Sequence, residues 1–170
     1  MRKFLMLIFI FVVILSLAGC TSKENGLKQA TKEIENSGGV IPNVKGFEVK
    51  EIDILSDPLV QDRESFIYLF TDKKGELNKA KNNSSDIRIL YGPYKGTDIF
   101  KITQSKMDII TDNINEKVIN GMEMQYKTVN NRVIIFTKTN GNSYTYEAKI
   151  TERYSEDKHF DLFYEAITNR

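Results

Sequence analysis

The stretch NEKVINGMEMQYKTVNNRVIIFTKTNGNSYTYEAKI, Asn115 to Ile150, decides the fold. Asn120-Gly121, Asn130-Asn131 and Asn140-Gly141 divide it into four runs of comparable length. Each pair supplies residues that tolerate the positive φ of a two-residue hairpin turn, so the stretch predicts an antiparallel meander. Side chains alternate across a strand with period two. Met122, Met124 and Tyr126 then share one side of one run, and Tyr144, Tyr146, Ala148 and Ile150 share one side of the last. At least one face of the meander is expected to be buried.

Working outward toward the C-terminus, the period changes. Phe160, Phe163, Tyr164 and Ile167 fall at i, i+3, i+4 and i+7, with Ser155 placed to cap a helix and Glu156 and Asp157 in its first turn. Toward the N-terminus, Gly46 to Ile54 alternates with a phase shift near Lys50 and Glu51, as a bulge would produce. Ser65–Thr71, Ile87–Tyr91 and Thr97–Gln104 read as further strands. Asp72–Asp86 reads as a long exposed connection, and Gly92 to Gly96 as a turn, since a strand and not a helix follows its glycines. Strands first and a helix last give an α+β domain: a twisted antiparallel sheet of six or seven strands with the C-terminal helix packed on one face.

The first nineteen residues stand apart. Arg2 and Lys3 precede an apolar run from Phe4 to Leu17, and polar residues follow from Thr21. A spanning helix needs about 20 apolar residues to cross roughly 30 Å of hydrocarbon, so this shorter run reads as an export signal. It ends Leu17-Ala18-Gly19-Cys20, which resembles the lipobox of bacterial lipoproteins. That resemblance implies cleavage between Gly19 and Cys20 and attachment of a diacylglyceryl group to the Cys20 thiol, with an N-acyl chain as an option on the new amino terminus. Cys20 is the single cysteine, so it can form no internal disulfide, and acylation gives the thiol a use. Two acyl chains hold a protein on a membrane where one does not. The expected organisation is a signal peptide over residues 1–19, a lipidated tether over 20–45 with a short helix at Leu27–Glu35, and one domain over 46–170. Abundant Lys, Asn and Ile fit a low-GC Gram-positive source, with the domain on the extracytoplasmic side of the cell membrane.

Composition limits the partners. The chain has 170 residues, and 28% charged with 11% aromatic side chains argues for a folded domain rather than a disordered one. Of 24 basic residues two lie in the signal, leaving the rest within one charge of the 23 acidic ones. Without a basic stripe to neutralise phosphates, nucleic-acid binding is not expected.

The order of motifs resembles a known type of domain. Pro42 and Gly46-Phe47 with Glu48 to Ile54 behind them are followed by Ile102-Thr103-Gln104-Ser105-Lys106. The Asn120-Gly121 turn and Tyr126 come next, then Asn140-Gly141 with Tyr144-Thr145-Tyr146 and a closing helix. Together they resemble an uncharacterised extracytoplasmic domain found on Gram-positive lipoproteins and membrane-anchored regulators, itself distantly similar to half-barrels that carry lipoproteins or lipid-like ligands. Phe136 stands where that family commonly has a tryptophan. The resemblance implies no reaction and no catalytic residue.

Chemistry is sparse. A Ser-His-Asp hydrolase needs a base, and His159, the one histidine, reads as a half-exposed helix residue with no nucleophile elbow. One histidine and a committed Cys20 cannot make a zinc site. Asp108, Asp112 and Glu116 lack the order of a calcium loop and read as solvated surface. Tyr126, Tyr144 and Tyr146 read as core or cross-strand partners rather than a binding face. The expectation is a non-enzymatic, cofactor-free interaction module at the cell envelope, touching an envelope protein. The alternative is a carrier or sensor that holds an apolar or lipid-like ligand on the concave sheet face. The first requires that face to be closed by the helix; the second requires an apolar pocket left open there.

Overall fold

A computed structural model of the chain describes residues 21–56, 64–78, 83, 86–107 and 114–169. Helix α1 (Thr21–Asn36) comes first, then strands β1 (Glu48–Ser56), β2 (Glu64–Thr71), β3 (Ile87–Tyr91), β4 (Phe100–Ser105), β5 (Asn115–Ile119), β6 (Met122–Val129), β7 (Arg132–Thr139) and β8 (Asn142–Lys149), and last helix α2 (Glu156–Thr168). The strands form one sheet in the order β3-β1-β2-β4-β8-β7-β6-β5, every pair antiparallel. The class is α+β as the sequence predicts. Among the described residues the sheet has eight strands, where about six or seven are expected, and the four runs between Asn115 and Ile150 supply four of them.

The three turns close as their residues dictate. Asn120, Asn130, Asn131 and Asn140 have φ between 49° and 60°, and Gly121 and Gly141 have φ of 83° and 75°. That is the left-handed geometry of a tight hairpin, whose twist matches the strands it joins. The expected bulge is present: the register of β1 against β2 shifts between Val49 and Glu51. The shift keeps Val49 and Ile52 on one face, opposite Phe70 and Tyr68.

Three rows of side chains cross the sheet on that face. The middle row runs Ile52, Tyr68, Ile102, Tyr146, Ile135 and Tyr126 through directly paired positions. All but Tyr126 are fully buried. Phe70 stacks on Phe100 at 4.6 Å, and Phe100 on Tyr146 at 5.2 Å. Helix α2 covers the β5–β8 half. Ser155 caps it by accepting from Lys158 N–H at 3.3 Å. Phe160 meets Tyr126 edge-on at 5.0 Å and Phe163 lies 5.3 Å from Tyr146. Lys117 on β5 ties the helix down, pairing with Asp157 at 2.5 Å while its ammonium sits 4.4 Å over the Phe160 ring.

The other half is covered by α1, so the described residues of the expected tether pack against the sheet through this helix. The expected short helix at Leu27–Glu35 is part of a longer one, and Ala30 and Ile34 are 2% and 0% exposed. Val44 is buried as well. The polar residues of α1 conceal its role, because two small or medium side chains suffice to dock it. The connection after β2 is also more ordered than expected: Gly75 to Asn78 pairs with Pro93 to Lys95. Strand β4 starts at Phe100 rather than Thr97, and Thr97 and Asp98 are exposed.

Candidate functional site

Cys20, Gly19, Asp108 and Asp112 lie outside the described residues. Glu116 is exposed on β5, where the Gln125 side-chain amide donates to its carboxylate at 3.5 Å. Among the described residues, no group of three or more His, Cys, Asp and Glu side chains converges to hold a metal ion. None of the described helices is long and apolar enough to cross a membrane.

Tyr144 and Tyr146 point into the core, at 3% and 0% exposure, and Tyr126 is half-buried against α2. The hydroxyls of Tyr144 and Tyr146 are satisfied inside the protein. Gln104, next in line after Phe100 and Ile102 on the inward side of β4, organises one buried network. Its carbonyl accepts from Tyr68 OH at 3.2 Å and from the Val40 N–H at 3.1 Å, and its amide donates to Tyr144 OH at 3.3 Å. Burial raises the Tyr68 hydroxyl far above its ordinary pKa, so it stays protonated and donates.

His159 is fully buried, which corrects the expectation of a half-exposed residue. Its position on α2, just before Phe160, turns the ring toward β8. Nε2 lies 3.1 Å from the Lys149 carbonyl, which can only accept, so Nε2 carries the proton; Nδ1 then accepts from Tyr146 OH at 2.7 Å. Burial lowers the imidazole pKa, and the hydrogen bond to Lys149 opposes that only in part. A neutral histidine with both nitrogens bound to a tyrosine and a backbone carbonyl holds α2 to β8.

Among the described residues, the side chains between the sheet and the helices form one buried cluster. A separate open hollow of about 680 Å³ lies where the β5–β6 and β7–β8 turns meet the end of α2. Met122, Met124, Phe136 and Tyr164 supply its apolar surface. Its rim carries Glu116, Glu123, Gln125 and Lys138, with threonines and Ser143 between them. Residues of both sheet faces contribute: Met124 pairs laterally with Lys117 on the helix-bearing face, whereas Gln125 pairs with Phe136 on the other. Reading each strand separately could not find such a site, since it is built at strand ends and closed by a residue of the distant α2.

Comparisons of the chain with protein-family models, curated proteins and solved structures give no match.

Proposed function

We propose that the chain is an exported lipoprotein, cut before Cys20 and acylated on its thiol, whose domain serves as a non-enzymatic interaction module on the extracytoplasmic face of the cell membrane, in a Gram-positive envelope. One observation carries the choice of module over carrier: the helix-bearing face is occupied by the protein's own side chains. Tyr146, Ile135, Phe160 and Phe163 are each 0% exposed where an apolar guest would have to lie. The histidine that a hydrolase would use as base is committed on both ring nitrogens to the fold. The lipobox residues Leu17-Ala18-Gly19-Cys20 support the anchor.

The test of the anchor is Cys20→Ser in the full chain, expressed in a bacterium with lipoprotein-processing enzymes. The protein is expected to leave the detergent phase for the aqueous phase, or to accumulate at precursor mass. Normal processing with unchanged partitioning would refute the assignment. A second reading, a ligand-binding carrier or sensor, is favoured by the hollow beside Met122 and Phe136, whose volume suits a small molecule. Native mass spectrometry of the domain secreted from Thr21 onward separates the two. A bare polypeptide mass supports the module, and a reproducible added mass released by organic solvent supports the carrier.

A further inference from the structure

Lipidation of Cys20 would leave little slack between the bilayer and the domain. Gly26 of α1 lies against the Tyr91 ring: a Cβ there would stand 3.8 Å from Tyr91 Cδ2. From Gly26 back to Thr21 the chain is five residues of α1, about 7.5 Å at helix rise, and one further peptide step of about 3.8 Å leads to Cys20. Gly26 is itself held, because α1 is docked through Ala30 and Ile34, an ion pair of Glu33 with Arg88, and a hydrogen bond from Ser37 Oγ to Glu64 at 3.3 Å.

Tyr91 belongs to a clasp at the same end of the sheet. Its ring packs 5.1 Å from that of Tyr94, and Lys74 donates to its hydroxyl at 3.0 Å while sitting 5.2 Å over the Tyr94 ring. Gly75 N–H donates to Lys95 O at 2.7 Å, Lys95 N–H to Glu76 O at 2.8 Å, and Asn78 N–H to Pro93 O at 2.8 Å. The clasp is thus held by three backbone hydrogen bonds, and it presents Leu77 at 44% exposure, next to the exposed Lys95, which pairs with Glu76 at 3.9 Å, and on the same segment as the exposed Lys73.

We propose that this clasp, Lys73 to Asn78 with Tyr94 and Lys95, is the membrane-facing end of the domain and rests on the phospholipid headgroups, Leu77 toward the lipid and the two lysines toward phosphate. The inference rests on Cys20 being lipidated. The chain that leads to the bilayer passes Tyr91 at Gly26 and has only five more residues of α1 before Thr21, next to Cys20, so this end arrives first. The opposite end is out of reach. Lys50 O accepts from Tyr94 N–H at 3.0 Å, and Ser56 lies six residues further along β1, about 20 Å away at strand rise. An apolar tip between lysines suits an anionic headgroup layer better than open water.

Because Cys20 is the only cysteine and would be acylated, an introduced one is the only free thiol. The full-length lipidated protein with Leu77→Cys, Lys95→Cys or Ser56→Cys is labelled with a fluorophore. Each is then inserted into phosphatidylcholine and phosphatidylglycerol vesicles carrying a headgroup-nitroxide lipid. The label at 77, and that at 95, is expected to lose most of its emission, and the label at 56 little. Equal quenching at the three positions, or stronger quenching at 56, in protein that floats with the vesicles overturns the inference alone. Protein that bears no lipid mass and does not float overturns the lipoprotein reading and the inference with it.

Discussion

Removing the Phe163 ring tests the packing of α2 most directly. Phe163 is 0% exposed, lies 5.3 Å from Tyr146, and sits between Phe160 and Ile167 on the buried stripe of the helix. Replacing a fully buried phenylalanine by alanine costs about 3–5 kcal/mol, transfer and cavity together. The domain as a whole is expected to be stable by roughly 5–15 kcal/mol, so the loss is a large fraction. In a domain of this size each kcal/mol lowers Tm by about 2–4 °C, so Phe163→Ala is expected to lower it by roughly 6–20 °C. In urea, with a slope of about 2 kcal/mol per molar, the midpoint falls by about 2 M at constant slope. Far-ultraviolet circular dichroism follows the transition in the chain from Thr21 onward, and tyrosine fluorescence gives a second probe because there is no tryptophan. Phe163→Asp buries a charge at the same place and is expected to abolish the cooperative transition. Val118→Ala, at a site 62% exposed, is the control and is expected to change little. A Tm for Phe163→Ala within about 2 °C of the parent would refute the docking of α2 on the sheet.

The buried imidazole of His159 makes stability depend on pH. Its folded pKa is lowered below the ordinary 6.5, so the unfolded chain binds the proton more readily. Its contribution is present above about pH 6.5 and is lost as pH falls through that value toward the folded pKa. Tm measured at pH 7.5 and pH 5 is expected to drop more in the parent than in His159→Gln; equal drops would place the pH dependence elsewhere. Gln104→Leu removes the acceptor of Val40 N–H and Tyr68 OH, at about 1–3 kcal/mol for each group left unsatisfied, and should lower the urea midpoint far more than Thr103→Val on the opposite face. Equal effects would mean that the network is not formed. At Gly92 φ is 81° and an added Cβ would come within 2.3 Å of Lys50 O, whereas at Gly46 φ is 83° with nothing within 4 Å. Gly92→Ala is therefore expected to destabilise clearly more than Gly46→Ala, and a reversed order would contradict the close approach of β1 to the turn after β3.

Local chemistry was legible in the sequence, and long-range pairing was not. Asn120, Asn130 and Asn140 announce their hairpins because the left-handed φ they adopt is a property of the residue itself. Ser155 and the Phe160, Phe163, Ile167 stripe announce α2 for the same reason. Nothing local says that β8 inserts between β4 and β7, or that β1 is flanked by β2 and β3. Those neighbours are chosen by the summed burial of rows such as Ile52, Tyr68, Ile102 and Tyr146, which exists only after pairing. The docking of α1 is hard to read from the sequence because Ala30 and Ile34 form a narrow seam on a largely polar helix. The burial of His159 is not legible because a polar residue next to an apolar stripe is ordinarily solvated; Tyr146 OH and Lys149 O make its burial tolerable. Of the candidate site, Met122, Met124 and Tyr126 were visible as a strand face, but the hollow itself depends on Tyr164 closing over strand ends far away in sequence.

The positions of the hollow and of the clasp bear on the choice between module and carrier. Tyr94 lies beside Lys50 at the start of β1, and paired positions lead from there through Phe70, Phe100 and Ala148 to Val133 at the start of β7. The hollow is bounded by Thr139 at the other end of β7, and by the turn at Asn120 and Gly121. It is thus displaced from the clasp both across the sheet and along the strands. On the proposed orientation, a lipid leaving the bilayer would meet the clasp first. It would then find the helix-bearing face filled by Phe160 and Phe163 and would have to cross several strands to reach the hollow. A rim of Glu116, Glu123, Gln125 and Lys138 suits a polar partner arriving from the aqueous side better than an acyl chain arriving from the membrane. On the proposed orientation the hollow would lie away from the membrane, where an envelope partner could reach it, as the proposed anchored module requires.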